Sequence, residues 1–191
     1  MKIGRRLQAG WLVLLAGIAG AQLRAQMETL EGLDFGRLAS REIKVYLPPA
    51  GVTPTTPVLV ALDGQNMAAW KLEEALAHVA ARDKHRVPLV VAIPAGNDRL
   101  EEYGMADTPD YAGRGKRAAD FQRFVIDSVL PAVRARYAIA AEPARTGIMG
   151  SSLGGLAAFD LAWRHPDVLG FAGVFSGSFW WRGEDGSAAV R

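Results

Sequence analysis

Alternating hydrophobic and polar positions mark the first ordered part of the chain. In residues 41–51, Ile43, Val45 and Leu47 alternate with charged or polar side chains. This period of two predicts a half-exposed strand, and residues 27–40 are its predicted hairpin partner.

A second pattern follows, in which short apolar runs alternate with longer segments of helix-forming residues. Residues 57–64 and 88–96 are continuous apolar runs closed by turn residues, which predicts strands buried on both faces of a parallel sheet. A helix is predicted between them at residues 67–85, and another at residues 115–137. Pro131 should kink this second helix or restart its last turns, because proline has no backbone N–H to donate.

The same alternation continues towards the C-terminal part of the sequence. Residues 145–149 predict a short strand, residues 153–164 a helix and residues 170–178 another apolar strand. The predicted order is β-β-β-α-β-α-β-α-β. This order indicates an α/β fold with a mostly parallel sheet, helices on both faces and an antiparallel edge from the leading hairpin.

The first residues of the chain have the three-part form of a secretory signal peptide. A basic start precedes the apolar run of residues 11–19, and small residues follow at Ala21 and Ala25, after either of which cleavage is expected. The sequence is therefore divided into a signal peptide at residues 1–25 and one domain at residues 26–191, and the product is expected in the periplasm or the medium. A retained membrane anchor is the alternative.

Charge and cysteine content remove several classes of function. Four of the 22 basic residues lie in the predicted signal peptide and none of the 20 acidic residues does, so the remainder has a formal charge of −2. Without a basic stripe there is no argument for a nucleic-acid partner. The chain has no cysteine, which excludes disulfides, a thiol nucleophile and thiolate metal sites.

One motif carries candidate chemistry at the junction of a predicted strand and a predicted helix. The segment from Gly150 to Gly154 fits G-x-S-x-G with Ser152 at its centre. A nucleophile elbow has this setting, in which a tight turn holds the serine hydroxyl above the sheet and beside a helix N-terminus. The alternative is a glycine- and serine-rich turn that packs helix against sheet.

A nucleophile elbow needs two backbone N–H groups to hold the oxyanion. Leu153 supplies the first, and the loop after the third strand supplies the second. In that loop Gln65 is the first candidate and Asn66 the next. Alternatively this loop is an ordinary turn, with Asp63 or Asn66 as the cap of the following helix.

The sequence resembles the enterochelin esterase and esterase D group of the α/β-hydrolase superfamily. The resemblance rests on IMGSSLGGLAAFDLAWRHPDVLGFAGVFSGSFWW, on LDGQN and on the spacing of EYG and GKRAADFQRFVIDSVLPAVRARY, and it covers residues 41–182. It implies hydrolysis of carboxylic esters with Ser152 as nucleophile and without a metal or organic cofactor. Asp63 departs from the family pattern, since many α/β-hydrolases have histidine there.

No histidine of the sequence is expected to serve Ser152 as a base. His165 falls at the far end of the helix that the elbow starts, and His78 and His85 fall towards the opposite edge of the sheet. In the resembling family the catalytic acid and histidine follow a seventh and an eighth strand. The sequence therefore predicts a partial esterase domain without the last two strands, and self-association through the unpaired edge of the sixth strand.

Two loops at the expected catalytic edge supply candidate substrate contacts, because such loops build the sites of α/β proteins. Two adjacent tryptophans cannot both point into a core from an extended chain, so at least one should face the surface and could stack on an aromatic acyl group. The alternative interpretations are an ordinary polar loop after the fourth strand and, for the tryptophans, core side chains that are left uncovered. The candidates are Asn97, Asp98, Arg99, Tyr103, Trp180 and Trp181.

Three functions remain open on this basis. The first is hydrolysis of a small-molecule ester or lactone. The second is acyl transfer to a sugar or glycan on the same fold, and the third is a non-catalytic module that binds a ligand but has lost the triad. Glu184 and Asp185 follow the sixth strand and are interpreted as a solvated acidic pair rather than as the catalytic acid.

Overall fold

The structure of the protein, a computed structural model, describes residues 26–139 and 141–181. Within these ranges one six-stranded sheet has the order β1-β2-β4-β3-β5-β6. Strand β2 runs antiparallel to both its neighbours, and the pairs β3–β4, β3–β5 and β5–β6 are parallel. The strands are β1 Gln26–Leu30, β2 Ile43–Leu47, β3 Val58–Leu62, β4 Leu89–Ile93, β5 Thr146–Ser151 and β6 Phe171–Phe175.

Helices connect the parallel strands, in the order that the sequence pattern predicts. Short 3-10 turns at Gly64–Asn66, Lys84–Arg86 and Pro143–Arg145 precede or follow strands. The one helix that the pattern did not indicate is α2, a single turn after β4. The helices are α1 Leu72–Arg82, α2 Arg99–Glu102, α3 Ala118–Arg123, α4 Leu130–Tyr137 and α5 Leu153–Arg164.

Two apolar cores lie on opposite faces of the sheet, as expected for strands that are apolar throughout. Val58, Val60 and Leu62 of β3 pack into the core that includes the apolar side chains of α4 and α5. Ala61 of the same strand packs into the core under α1. Burial on both faces explains why β3 and β4 are continuous hydrophobic runs rather than alternating ones.

Pro131 interrupts the long helix as predicted. A π-helical segment, Phe124–Val129, joins α3 to α4, and Pro131 lies in the first turn of α4. A proline ring collides with the carbonyl four residues earlier in a regular α-helix, and the wider π turn is one way to relieve that collision. The interruption leaves α3 and α4 on the same face of the sheet, where both contribute to one core.

Strand β6 differs from the other parallel strands in its exposure. It pairs with β5 alone among the described strands, and its Phe171 and Phe175 are 47% and 58% exposed. The predicted signal peptide and the pair Glu184 and Asp185 lie outside the described residues. Among the helices that are described, none has the length and apolar character needed to span a membrane.

Candidate active site

Ser152 lies at a sharp turn between β5 and α5, in a backbone conformation that non-glycine residues rarely adopt. Its φ is 54° and its ψ is −123°. A residue with a side chain is held in this region only when the surrounding structure enforces it, at a cost of roughly 1–3 kcal/mol. The turn therefore has the strain that a nucleophile elbow requires.

Both flanking glycines of the motif are needed because there is no room for a side chain. A Cβ on Gly150 would lie 2.3 Å from the backbone oxygen of Gly154. A Cβ on Gly154 would lie 2.7 Å from the carboxylate of Asp63. The first glycine thus lets strand and helix approach closely, and the second makes space for the loop after β3 rather than for a neighbouring strand.

The loop after β6 holds the elbow from the other side. The Ser152 N–H donates to the Phe175 carbonyl at 2.9 Å, and the Ser178 N–H donates to the Ser152 carbonyl at 3.1 Å. The two serine hydroxyls lie 3.3 Å apart. Ser178 is buried and was not among the predicted site residues, since one serine in a glycine-rich loop gives no signal that it will face the motif.

The two predicted oxyanion donors have different surroundings. Leu153 is the first residue of α5, where backbone N–H groups have no partner within the helix. Gln65 lies in the 3-10 turn after β3, and its side chain accepts a hydrogen bond from the Ala95 N–H at 2.9 Å. The alternative donor, Asn66, is excluded because its N–H donates to the Asp63 carbonyl at 2.8 Å.

Asp63 is a buried carboxylate beside the elbow, at the N-cap position of the 3-10 turn. Its side chain is 2% exposed and receives two hydrogen bonds from Arg99, at 2.6 and 2.7 Å. Its φ of 57° places it in the left-handed region, and its side chain makes no capping hydrogen bond. Asp63 thus has the cap position that the alternative interpretation expects, but its carboxylate is paired with a guanidinium and does not cap the turn.

Arg99 and Tyr103 complete this cluster from the loop and helix after β4. The Asp63 N–H donates to the Tyr103 hydroxyl at 3.1 Å, and the Arg99 guanidinium lies 5.0 Å from the centre of the Tyr103 ring. Burial raises the pKa of Tyr103 well above its ordinary value, so its hydroxyl stays neutral. The hydrogen bond to Asp63 raises the pKa of Arg99, so the guanidinium stays charged.

Four of the predicted substrate contacts do not lie free at an open pocket. Tyr103 is fully buried, and Trp181 is 7% exposed with its indole N–H donating to the Thr108 carbonyl at 2.8 Å. Arg99 is committed to Asp63, and Asp98 pairs with Arg117 at 2.7 Å. Tyr103 and Trp181 therefore support the site from behind, whereas the Arg99 and Asp98 side chains are 32% and 65% exposed and use their charged groups in ion pairs.

The two other candidates are exposed. Asn97 lies on the surface of the loop after β4. Trp180 is 54% exposed and lies under the Arg114 guanidinium, 5.5 Å from the ring centre. The expectation that one of the two adjacent tryptophans faces the surface is confirmed, and Trp180 is the one.

None of the three histidines approaches Ser152. His165 caps the C-terminal end of α5, so the 12 residues of that helix separate it from the elbow, a distance of roughly 18 Å at 1.5 Å per residue. His85 lies with Pro57 and Arg145, at the amino ends of β3 and β5. His78 is exposed in the second half of α1. The structure thus places the histidines away from the elbow, as their positions in the sequence predict, and that none of them serves as the base stays a prediction.

Comparison with known proteins finds similarity to esterases. Residues 39–190 match the family model described as "Esterase: Putative esterase". The uncharacterized protein YbbA of Bacillus subtilis is 25% identical over 158 residues, and the iron(III) enterobactin esterase of Escherichia coli K12 is 28% identical over 149 residues. The enterobactin esterase of Shigella flexneri, solved with 2,3-dihydroxy-N-benzoyl-serine, superposes with a TM-score of 0.66 at 23% identity.

The matched regions are most of this chain but less of each relative. The two sequence matches cover 78% and 74% of this chain, and 61% and 33% of the respective relatives. The structural match covers 85% of this chain and 39% of the Shigella protein. The chain thus spans between one third and about three fifths of the length of these relatives.

Proposed function

The chain belongs to the esterase family, and on that premise we propose that it cleaves carboxylic esters with Ser152 as the nucleophile. The observation that carries this proposal is the backbone of Ser152, strained at a φ of 54° between a parallel strand and a helix N-terminus. A turn that served packing alone would not need a serine in this conformation. The flanking glycines, which no larger residue can replace without a clash, support the same assignment.

The proposed step is an acyl transfer from the substrate to the enzyme. The Ser152 oxygen forms a bond to the ester carbonyl carbon while its proton passes to a base, and the carbonyl oxygen becomes an oxyanion. The N–H groups of Leu153 and Gln65 donate to that oxyanion, aided by the N-terminus of α5. The ester C–O bond then breaks, the alcohol leaves with a proton, and water later releases the acid.

The proton acceptor is a group other than the three histidines, since all of them lie away from the elbow. The Asp63 carboxylate lies beside Gly154, the second residue of α5, but it is paired with Arg99 through two hydrogen bonds. Both of its oxygen atoms thus already accept hydrogen bonds from the guanidinium. The proposal therefore requires a base other than the groups that the structure describes beside Ser152.

An ester of an aromatic acid is the substrate class that this surface fits best. Trp180 offers a half-exposed ring two residues after Ser178, whose hydroxyl lies 3.3 Å from that of Ser152. Ring stacking beyond the area buried contributes about 0.5–1.5 kcal/mol per pair. The similarity to an enterobactin esterase solved with a dihydroxybenzoyl compound supports the same choice.

The test is covalent labelling of Ser152, combined with burst release from an activated aryl ester. The purified chain is mixed with 4-nitrophenyl benzoate at pH 7 to 8, and the acyl adduct is located by peptide mass spectrometry. We expect an adduct on Ser152 that is absent in Ser152→Ala and retained in Ser128→Ala, a half-buried serine of the π-helical segment. Equal labelling of Ser152→Ala would contradict the proposal.

A non-catalytic binding module is the second candidate, and it is favoured by the distance of every histidine from Ser152. The two candidates differ in one outcome of the same experiment. A binding module retains 4-nitrophenyl benzoate reversibly and quenches Trp180 fluorescence without forming an adduct. The sequence also left acyl transfer to a sugar as an alternative. In that case, addition of a sugar alcohol would give an acylated sugar as product.

A further inference from the structure

A second serine hydroxyl lies against that of Ser152, in the loop that follows β6. The Ser178 hydroxyl oxygen is 3.3 Å from the Ser152 hydroxyl oxygen. Ser178 is 4% exposed, so water contributes little to its hydrogen bonding. A buried hydroxyl without a hydrogen-bond partner destabilises a fold, and Ser152 is the side-chain partner that the structure gives to Ser178.

The backbone of this loop fixes where the Ser178 hydroxyl lies. The Ser152 N–H donates to the Phe175 carbonyl at 2.9 Å, and the Ser178 N–H donates to the Ser152 carbonyl at 3.1 Å. Between these two bonds the chain turns through Ser176, which is in the left-handed region with a φ of 48°. Neither bond uses the Ser178 side chain, so the loop does not need the hydroxyl to hold its position.

The other side of Ser178 is anchored by Trp181. The Trp181 backbone N–H donates to the Ser178 carbonyl at 3.2 Å, and the indole N–H donates to the Thr108 carbonyl at 2.8 Å. The ring packs so closely against Gly104 and Gly115 that a Cβ on these residues would lie 2.6 and 2.7 Å from it. Ser178 therefore lies in a short segment that is fixed at both ends.

The direction of the hydrogen bond between the two hydroxyls follows from the chemistry of acylation. When the Ser152 oxygen attacks a carbonyl carbon, its own proton passes to a base and is not available to Ser178. The Ser178 O–H is then the donor and the Ser152 oxygen is the acceptor. Negative charge develops on that oxygen as its proton leaves, and a hydrogen bond to a charged acceptor is stronger than one to a neutral acceptor.

We propose that Ser178 is a second catalytic serine, which donates a hydrogen bond to the Ser152 oxygen as that oxygen becomes nucleophilic. This inference rests on the proposed esterase function. Ser178 keeps its proton throughout, and none of its covalent bonds forms or breaks, while the Ser152 proton still passes to a base. Because the hydrogen bond favours the ionised form of its acceptor, it lowers the pKa of the nucleophile at position 152.

An ionisable sulfur at position 152 tests this hydrogen bond without an ester. The chain has no cysteine, so Ser152→Cys introduces a single thiol. Iodoacetamide reacts with the thiolate, so the alkylation rate measured against pH reports the pKa of that thiol. Adding Ser178→Ala should move the midpoint of this profile to higher pH and slow alkylation at pH 7 roughly 3- to 10-fold, because the thiolate loses a donor.

Ser176→Ala is the matched control, because Ser176 lies in the same loop and is exposed. In the Ser152→Cys chain it should leave the alkylation profile unchanged. Ser178→Gly also lacks the hydroxyl and adds no atom, so it should act as Ser178→Ala does, and thermal unfolding shows that each variant is folded. An alkylation profile that neither Ser178 variant shifts would overturn the proposal.

Acylation of the native serine gives a second measurement. With 4-nitrophenyl benzoate, the rate constant for adduct formation on Ser152 should fall roughly 10- to 100-fold in Ser178→Ala and stay the same in Ser176→Ala. The ester concentration that gives half the maximal rate should not change, because Ser178 acts on the nucleophile rather than on binding. A wild type that forms no adduct contradicts the proposed function, whereas an unshifted thiol profile contradicts the role of Ser178 whether or not esters are cleaved.

Discussion

Asp63 determines the shape of the loop that faces the elbow. Its left-handed backbone turns the chain after β3, and its carboxylate holds Arg99 beside the second residue of α5. The same residue donates its N–H to Tyr103, so side chain and backbone both bind the loop after β4. A histidine at this position could not form the two-point ion pair with a guanidinium.

Asp63→Asn should destabilise the fold, because it leaves the partly buried Arg99 without a counter-charge. We expect the free energy of unfolding to fall by roughly 2–4 kcal/mol, as measured by urea denaturation. Asp98→Asn removes an ion pair of similar length, but its carboxylate is 65% exposed. This control should lower the free energy of unfolding by less than about 1 kcal/mol. An equal loss in both variants would contradict the role given to Asp63.

At the residue scale the sequence was informative about Ser152 and much less so about its surroundings. The sharp turn at Ser152 could be predicted because G-x-S-x-G has its glycines at a fixed spacing, so the sequence signal is local. Asp63 and Arg99 are 36 residues apart, and the contact of Ser178 with Ser152 spans 26 residues. Contacts of that range depend on the register of whole strands, which no short pattern contains.

At the scale of elements, the segment from the end of β4 to α2 is held by one buried ion pair. Arg41 binds both carboxylate oxygens of Glu102, at 2.6 and 2.9 Å, and the side chains are 5% and 1% exposed. Arg41 also donates to the Pro94 carbonyl, and Glu102 accepts from the Gly96 N–H. This pair therefore fixes both ends of the segment that carries Arg99.

Glu102→Gln should loosen that segment as well as destabilise the protein. We expect a loss of roughly 3–5 kcal/mol in the free energy of unfolding, because a buried guanidinium loses its partner. Protease cleavage within residues 94–103 should also become faster under native conditions. Glu74→Gln, which removes an exposed ion pair with Lys71 at 3.3 Å, should change neither measurement by more than a small amount.

At the scale of the whole molecule, the spacing of hydrophobic positions along the chain predicts which strands are buried on both faces, and this determines the layers of the fold. Continuous apolar runs became the buried strands β3 and β4, and the alternating segment became β2. Helix α2 was missed, since its four residues are too few for a helical period to be recognised. The sequence predicts β1 as the hairpin partner of β2. It does not predict the hydrogen bond between β1 and α4, because Glu28 and Arg136 are 108 residues apart.

The hydrogen bonds from Arg136 and Tyr137 to Glu28 join β1 to α4. They should make the free energy of unfolding depend on pH in the acidic range. Hydrogen bonds from Arg136 and then Tyr137 lower the pKa of Glu28 below its ordinary value of 4.5. A depressed pKa in the folded state stabilises the protein at pH values above the unfolded pKa, and that contribution is lost as the pH falls through the folded pKa.

Glu28→Gln should therefore be less stable than the wild type at pH 7. The difference should shrink as the pH is lowered from 4.5, when followed by thermal unfolding. Glu31→Gln, at an exposed position just after β1, is the control, and an identical pH profile for both variants would show that the tie contributes nothing.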